Sequence, residues 1–252
     1  MDNSSFSLSG RRILVTGGTR GLGRAVSAHF ARAGAQVIAS YAHDDEAAES
    51  LRAEMTNERL ALELCRGDLA TADGRRRVTD AVGTLPLAAM LHCAATGVHR
   101  PFHELTARHW DFTFAVNLGA FFELVKALLP RLDAGASLVA VSSEGAVHAF
   151  PNYAAVGATK GGLEALCRHM ALELAPRGIR VNILSPGSVR TQALDALPDG
   201  DARIREAIAR SPRGRLTSLE EVAQAAHFLC CDASSGLNGH TLVVDGGQRI
   251  CG

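Results

Sequence analysis

Short, almost wholly apolar runs alternate along this chain with longer stretches in which apolar positions recur every three or four residues. The runs Arg12–Thr16, Gln36–Ser40, Ala61–Cys65, Leu87–Cys93, Ser137–Val141, Arg180–Leu184 and Thr241–Val244 are predicted strands. Helices are predicted at Leu22–Ala33 and Asp45–Met55, with the longest at Leu105–Leu132, expected to be broken, and Asn152–Leu174. Strands apolar on both faces and separated by helices predict a doubly wound α/β fold, a parallel sheet with helices on both faces. Right-handed crossovers then gather ligand-binding residues at the carboxyl ends of the strands. No linker or repeat divides the chain, so residues 11–252 are expected to form one domain behind a polar tail over residues 1–10.

Composition narrows the function classes. The 26 basic and 26 acidic residues cancel and neither sign forms a block. Nucleic acid and membrane are therefore not expected partners. No uninterrupted apolar stretch approaches the roughly 20 residues that cross a bilayer. Six scattered cysteines, none in a Cys-x-x-Cys pair, suit neither zinc nor a disulfide framework and point to a reducing, cytoplasmic location. His99 and His103 have the spacing of a helical metal pair, but Pro101 between them argues against a helix; no metal is expected.

Directly after the first predicted strand stands Thr16-Gly17-Gly18-Thr19-Arg20-Gly21-Leu22-Gly23. Between a strand and a helix, this pattern marks a Rossmann-type dinucleotide site. Gly17 permits the turn, Gly21 admits pyrophosphate to the backbone, and Gly23 permits close packing of helix on sheet. The helix N-terminus then offers N–H groups to the phosphates. The second strand ends near Tyr41 in Ser40-Tyr41-Ala42-His43, without the carboxylate that NAD binders place there. Arg20 either pairs with a 2′-phosphate or is a solvated loop arginine. The absent acid and the present arginine point to NADP(H). Asp68 either accepts a hydrogen bond from the adenine amino group or caps the next helix.

The glycine turn, Asp68, Asn117, Ser143, a Tyr/Lys pair and Pro186-Gly187-Ser188-Val189-Arg190-Thr191 together resemble the short-chain dehydrogenase/reductase family, from about Arg11 to Gly247. Ordinary members carry Tyr-x-x-x-Lys. Here Val156 stands four residues before Lys160, and the tyrosine is Tyr153, in a Tyr-x6-Lys spacing similar to the enoyl-acyl-carrier-protein reductase III type. Ala94-Ala95-Thr96-Gly97, Arg100-Pro101 and His109-Trp110-Asp111 resemble the same subgroup. On a regular helix, Tyr153 and Lys160 would share a face about 10 Å apart along the axis, against about 6 Å for a gap of four. A displaced acid suits an enoyl thioester, where hydride goes to the β-carbon and negative charge gathers on the more distant carbonyl oxygen.

The resemblance implies roles as well. Tyr153 is the expected acid, and Lys160 is expected to hold the nicotinamide ribose and to lower the phenol's pKa. Ser143 either reaches the substrate oxygen or caps the next turn. Asn117 either orders a water near Lys160 or satisfies backbone groups in a helix break. The expected cofactor contacts are Gly17, Thr19, Arg20, Gly21, Leu22, Gly23, Tyr41, Asp68, Leu69, Lys160, Pro186, Gly187, Val189 and Thr191. Residues 188–215 are expected to form a lid over an apolar acyl site, with Leu194, Leu197 and Ile204. His92-Cys93 stands where the family commonly has Asn-Asn, so His92 must replace a bond between neighbouring strands. The expected activity is NADPH-dependent reduction of an enoyl thioester on acyl-carrier protein or coenzyme A, with carbonyl reduction as the alternative. The family resemblance also implies a homotetramer, with the long helices and the C-terminal strand at interfaces.

Overall fold

The computed structural model describes residues 3–191 and 200–251. Seven strands form one sheet: β1 (Arg12–Thr16), β2 (Gln36–Tyr41), β3 (Leu62–Arg66), β4 (Ala89–His92), β5 (Ser137–Val141), β6 (Arg180–Pro186) and β7 (Thr241–Val244). Their order is β3-β2-β1-β4-β5-β6-β7 and every pairing is parallel. The expected doubly wound Rossmann-type sheet is the one observed. Order reverses between β1 and β4, which opens a crevice at their carboxyl ends.

The described helices are α1 (Gly21–Arg32), α2 (Asp45–Asn57), α3 (Ala72–Val82), α4 (Ala107–Phe114), α5 (Ala120–Leu128), α6 (Ala154–Leu174), α7 (Gly200–Arg210) and α8 (Leu219–Cys230). They cover both faces because successive strand residues point opposite ways. Ile13 and Val15 pack with Val26, Phe30, Val222 and Leu229 on the α1/α8 side. Leu14, Met90 and Leu138 pack with Val78, Phe121, Leu124, Leu163 and Cys167 on the other. Burying each large side chain contributes about 1.5–3 kcal/mol relative to exposure.

The long predicted helix runs on from Ala107 to Arg131, and the expected break is only a local widening. It begins at Ala107, capped by Thr106, and widens into a π-helical turn at Ala115–Gly119 before resuming as α5. That turn carries Asn117 into the protein interior. Two further stretches carry structure that the apolar pattern does not show. In the polar tail, Asn3–Phe6 form a 3-10 turn, Leu8 is fully buried, and Phe6 stacks on Phe228 at 6.4 Å. The stretch read as a lid contains a regular helix, α7, and its Val189 pairs with Thr217 in an isolated bridge. Residues 192–199, with Leu194 and Leu197, lie outside the described residues.

Candidate active site

The turn after β1 is built from backbone. Gly17 has φ +63°, and a Cβ there would lie 2.9 Å from the Ala94 Cα; a Cβ on Gly23 would lie 2.0 Å from the Gly17 carbonyl oxygen. Neither neighbour can yield, so both positions require glycine. Gly21 also has a positive φ, +53°. Thr19 and Leu22 are buried beneath the turn, whereas Arg20 is exposed, extended and in no ion pair among the described residues. Arg20 gives α1 no side-chain cap, so the first-turn N–H groups are left for a ligand.

The loop from the end of β6 meets this turn from across the crevice. Pro186 ends β6, the Gly187 N–H donates to the Val244 carbonyl at 2.9 Å, and a Cβ on Gly21 would lie 3.6 Å from Thr191 Cγ2. On the other flank, Tyr41 ends β2 half-buried, with burial and a hydrogen bond to Asp45 raising its pKa. The acids that follow are engaged elsewhere: Asp44 caps α2 by accepting from Ala47 N–H, and Asp45 pairs with Arg66 at 3.1 Å. Asp68 does not cap α3, which corrects one of its two readings. It accepts from Ala70 N–H at 3.0 Å in a local turn, while Thr71 is the cap, and Leu69 beside it is buried. His43 lies 3.8 Å from the Asp68 carboxylate.

Side chains build the second half, at the end of β5. Lys160, only 5% exposed on α6, donates from Nζ to the Val141 carbonyl at 2.8 Å; burial pulls its pKa down to about 8. One residue on, Ser142 donates to the buried Glu164 carboxylate at 2.6 Å. Ser143 caps a 3-10 turn (Glu144–Ala146) by accepting from Gly145 N–H at 3.1 Å, and its hydroxyl also accepts from the Tyr153 hydroxyl at 3.1 Å. Tyr153, Ser143 and Lys160 therefore converge on the last residues of one strand.

Two details differ from the sequence reading. Tyr153 is the residue before α6, with φ −114° and ψ 5°, because Pro151 and the left-handed Asn152 (φ +61°) hold the chain off the helix. The phenol thus approaches from the helix end rather than from a helical face. Nor does Lys160 lower its pKa. Burial raises it, while Ser143 and the charge of Arg203 act in the opposite direction.

A family model described as Enoyl-(Acyl carrier protein) reductase matches residues 17–249. The chain belongs to the short-chain dehydrogenase/reductase family. Among its relatives, D-threitol dehydrogenase of Mycolicibacterium smegmatis is 35% identical, over 97% of this chain and 95% of that one. The 1-cyclohexenylcarbonyl-CoA reductase of Streptomyces collinus is 31% identical, over 94% and 86%. Among solved structures, a gluconate 5-dehydrogenase from Burkholderia cenocepacia, in complex with NADP and tartrate, superposes with a TM-score of 0.88 at 28% identity, covering 99% of each chain. As a short-chain dehydrogenase/reductase, this chain is an NAD(P)-dependent oxidoreductase.

Within this oxidoreductase, the Asn117 side chain is held by the loop after β4 and by α6. Its Oδ1 accepts from Thr96 N–H at 2.8 Å, and its Nδ2 donates to the Thr96 carbonyl at 3.0 Å and to Thr159 Oγ1 at 3.1 Å. It ties the loop after β4 to the residue preceding Lys160, and its amide is taken up in doing so. His92 supplies the missing strand tie: the Thr16 hydroxyl accepts from Ala94 N–H at 3.2 Å and meets His92 Nδ1 at 2.9 Å, linking β1 to β4. Full burial pushes the His92 pKa down to about 3, so the ring is neutral at ordinary pH. Burial likewise raises Cys93 to about 12, which leaves it a thiol and no nucleophile.

Several site residues escaped the sequence reading. The Tyr153 ring lies against Gly145, where a Cβ would meet Cε1 at 2.3 Å. The His99 ring (5.4 Å) and Phe150 (6.1 Å, edge-on) flank it. Arg210, at the end of α7, sits over Phe150 and reaches toward Glu144. Of these, His99 alone was named in the sequence, as half of a metal-pair spacing rather than as a neighbour of Tyr153.

Proposed function

We propose that this oxidoreductase uses NADPH to reduce the carbon–carbon double bond of an enoyl thioester carried on acyl-carrier protein or coenzyme A. The carrying observation is that Val156, buried at 4% exposure, occupies the position one turn before Lys160, while the phenol comes from Tyr153 off the helix end to the Ser143 hydroxyl. The acid is thereby set back from the lysine, as reduction at a β-carbon with charge on a remote oxygen requires.

The glycine cradle, the uncapped α1 N-terminus and the loop ending at Thr191 fit a pyrophosphate. Exposed Arg20, with Asp44 and Asp45 engaged elsewhere, fits a 2′-phosphate rather than two ribose hydroxyls. When bound, NADPH supplies the hydride. Tyr153 and Ser143 orient and polarise the thioester oxygen, and the Tyr153 hydroxyl stabilises the enolate charge as it grows. Lys160, a buried cation, would hold the nicotinamide ribose by donating to its hydroxyls. The six free cysteines support a cytoplasmic setting. Trp110, Phe112, Phe122 and Leu172, exposed on the long helices, support assembly into a tetramer.

The test is NADPH oxidation with a crotonyl or an acetoacetyl thioester. The crotonyl thioester is the expected substrate; consumption with acetoacetyl alone overturns the proposal. In that event carbonyl reduction is the reading, and the 3.1 Å Tyr153–Ser143 hydroxyl pair is the observation that favours it, since two hydroxyls can clamp a single carbonyl oxygen.

A further inference from the structure

We propose that Gln248 is a positioning residue for the dinucleotide. Its buried amide ties the loop after β6 to the end of α7, so that NADP(H) binding on the loop also orders that helix end. This rests on the reading that residues 186–191 hold the cofactor.

The C-terminal chain packs against that loop as a fixed turn. Beyond β7, Gly246 and Gly247 both take positive φ, +64° and +89°, and fold the chain back into a 3-10 turn at Gln248–Ile250. Asp245 holds the turn, its carboxylate accepting from Gly247 N–H at 2.8 Å and from Arg249 N–H at 2.9 Å. Arg249 in turn donates to the Ser185 hydroxyl on β6. Gly187 sits directly on this turn: a Cβ there would lie 2.7 Å from Asp245 Cβ and 3.0 Å from Gln248 Oε1. Farther along the same loop, Thr191 lies against Gly21 of the glycine turn.

The deciding observation is how Gln248 uses both ends of its amide. The residue is only 4% exposed, although glutamine ordinarily faces water. Oε1 accepts from Ser188 N–H at 3.3 Å, and Nε2 donates to the Ala207 carbonyl at 3.3 Å. One amide orientation serves both, because Ser188 offers a donor and Ala207 an acceptor. Both partners are backbone groups at the edge of a regular element. Gly187 N–H still bonds to β7 at Val244, and Ser188 is the next residue. In a continuing α-helix the Ala207 carbonyl would take the Ser211 N–H; here Ser211 donates to Ile208 at 3.1 Å, and Gln248 meets the Ala207 carbonyl instead. An apolar side chain at 248 would leave both groups unpaired, which is costly in a buried setting. In the free protein the loop can relax to hydrate Ser188. With the dinucleotide bound it must stay in place, so the cost of the missing bond falls on binding.

The experiment compares two near-isosteric variants by fluorescence titration with NADPH. Gln248→Met removes both bonds, whereas Gln248→Glu keeps an acceptor for Ser188 and loses the donor to Ala207. Both should lower Tm, as the loss of any buried bond would. Gln248→Met should weaken NADPH binding about 10-fold, while Gln248→Glu stays within about 3-fold of wild type. Amide hydrogen exchange gives a second readout. In the wild type, NADP should slow exchange both at residues 187–191 and at residues 207–211; in Gln248→Glu the first effect should remain and the second disappear. Unchanged affinity in Gln248→Met, equal losses in the two variants, or no NADP effect at residues 207–211 of the wild type overturns the proposal. Exchange that NADP leaves unchanged at residues 187–191 as well would overturn the reading of the loop together with it.

Discussion

The turn after β1 and the turn after β5 both leave a buried strand and lead toward a helix, yet they are assembled from different material. The first is almost pure backbone: Gly17 and Gly23 let the chain pack against itself with no room for a Cβ. The second is a constellation of side chains, in which Tyr153, Ser143 and Lys160 reach the same strand end from an N-terminal flank, a 3-10 turn and a helix interior. A backbone site fixes what is bound and tolerates little change in sequence. A side-chain site can shift one of its groups by a turn and change the chemistry while the fold stays the same.

Substitutions can break this contrast in a graded order. Tyr153→Phe should lower kcat by about 10²–10⁴-fold, the usual contribution of a positioned acid, while NADPH affinity from fluorescence titration stays nearly unchanged. A parallel loss of affinity would show that the two halves are not separable. Lys160→Met should abolish turnover and yet stabilise the nucleotide-free protein at pH 7. The buried ammonium, with a pKa pulled from 10.5 to about 8, opposes folding wherever it is charged, by roughly 3 kcal/mol at most. Wild-type stability should therefore rise from about pH 8 toward 10.5 and close the gap to the variant, a convergence that denaturant melts across pH would reveal. Gly23→Ala should cost about 1–3 kcal/mol in overpacking and weaken NADPH binding about 10–100-fold, read from Tm and titration. The smallest effect is expected from Gly145→Ala. Displacement of the Tyr153 ring should lower kcat about 10-fold with little change in KM, a split that steady-state kinetics resolves.

How much of this could be read in the sequence follows the same division. Strands buried on both faces announce themselves as apolar runs, so β1, β5 and β6 fall within two residues of their predicted bounds. The glycine turn is legible for a related reason: its spacing is its mechanism. Tyr153 could be named but not placed, because Pro151 and a left-handed Asn152 decide where α6 starts and no periodicity records that. The π-helical turn that buries Asn117 was visible only as an expected break. His92 could be recognised as a departure, but its bond to Thr16 depends on strand register. Arg210 gave no signal, since α7 reaches Phe150 and Glu144 only through the fold.

The central claim is that the Tyr153 phenol serves the thioester oxygen from its set-back position. A crystal structure with NADP and a butyryl thioester tests it most directly. The account predicts the thioester oxygen within hydrogen-bond distance of both Tyr153 Oη and Ser143 Oγ, with the acyl β-carbon facing the nicotinamide. An oxygen held by other donors, with Tyr153 turned away from the ring, would contradict it.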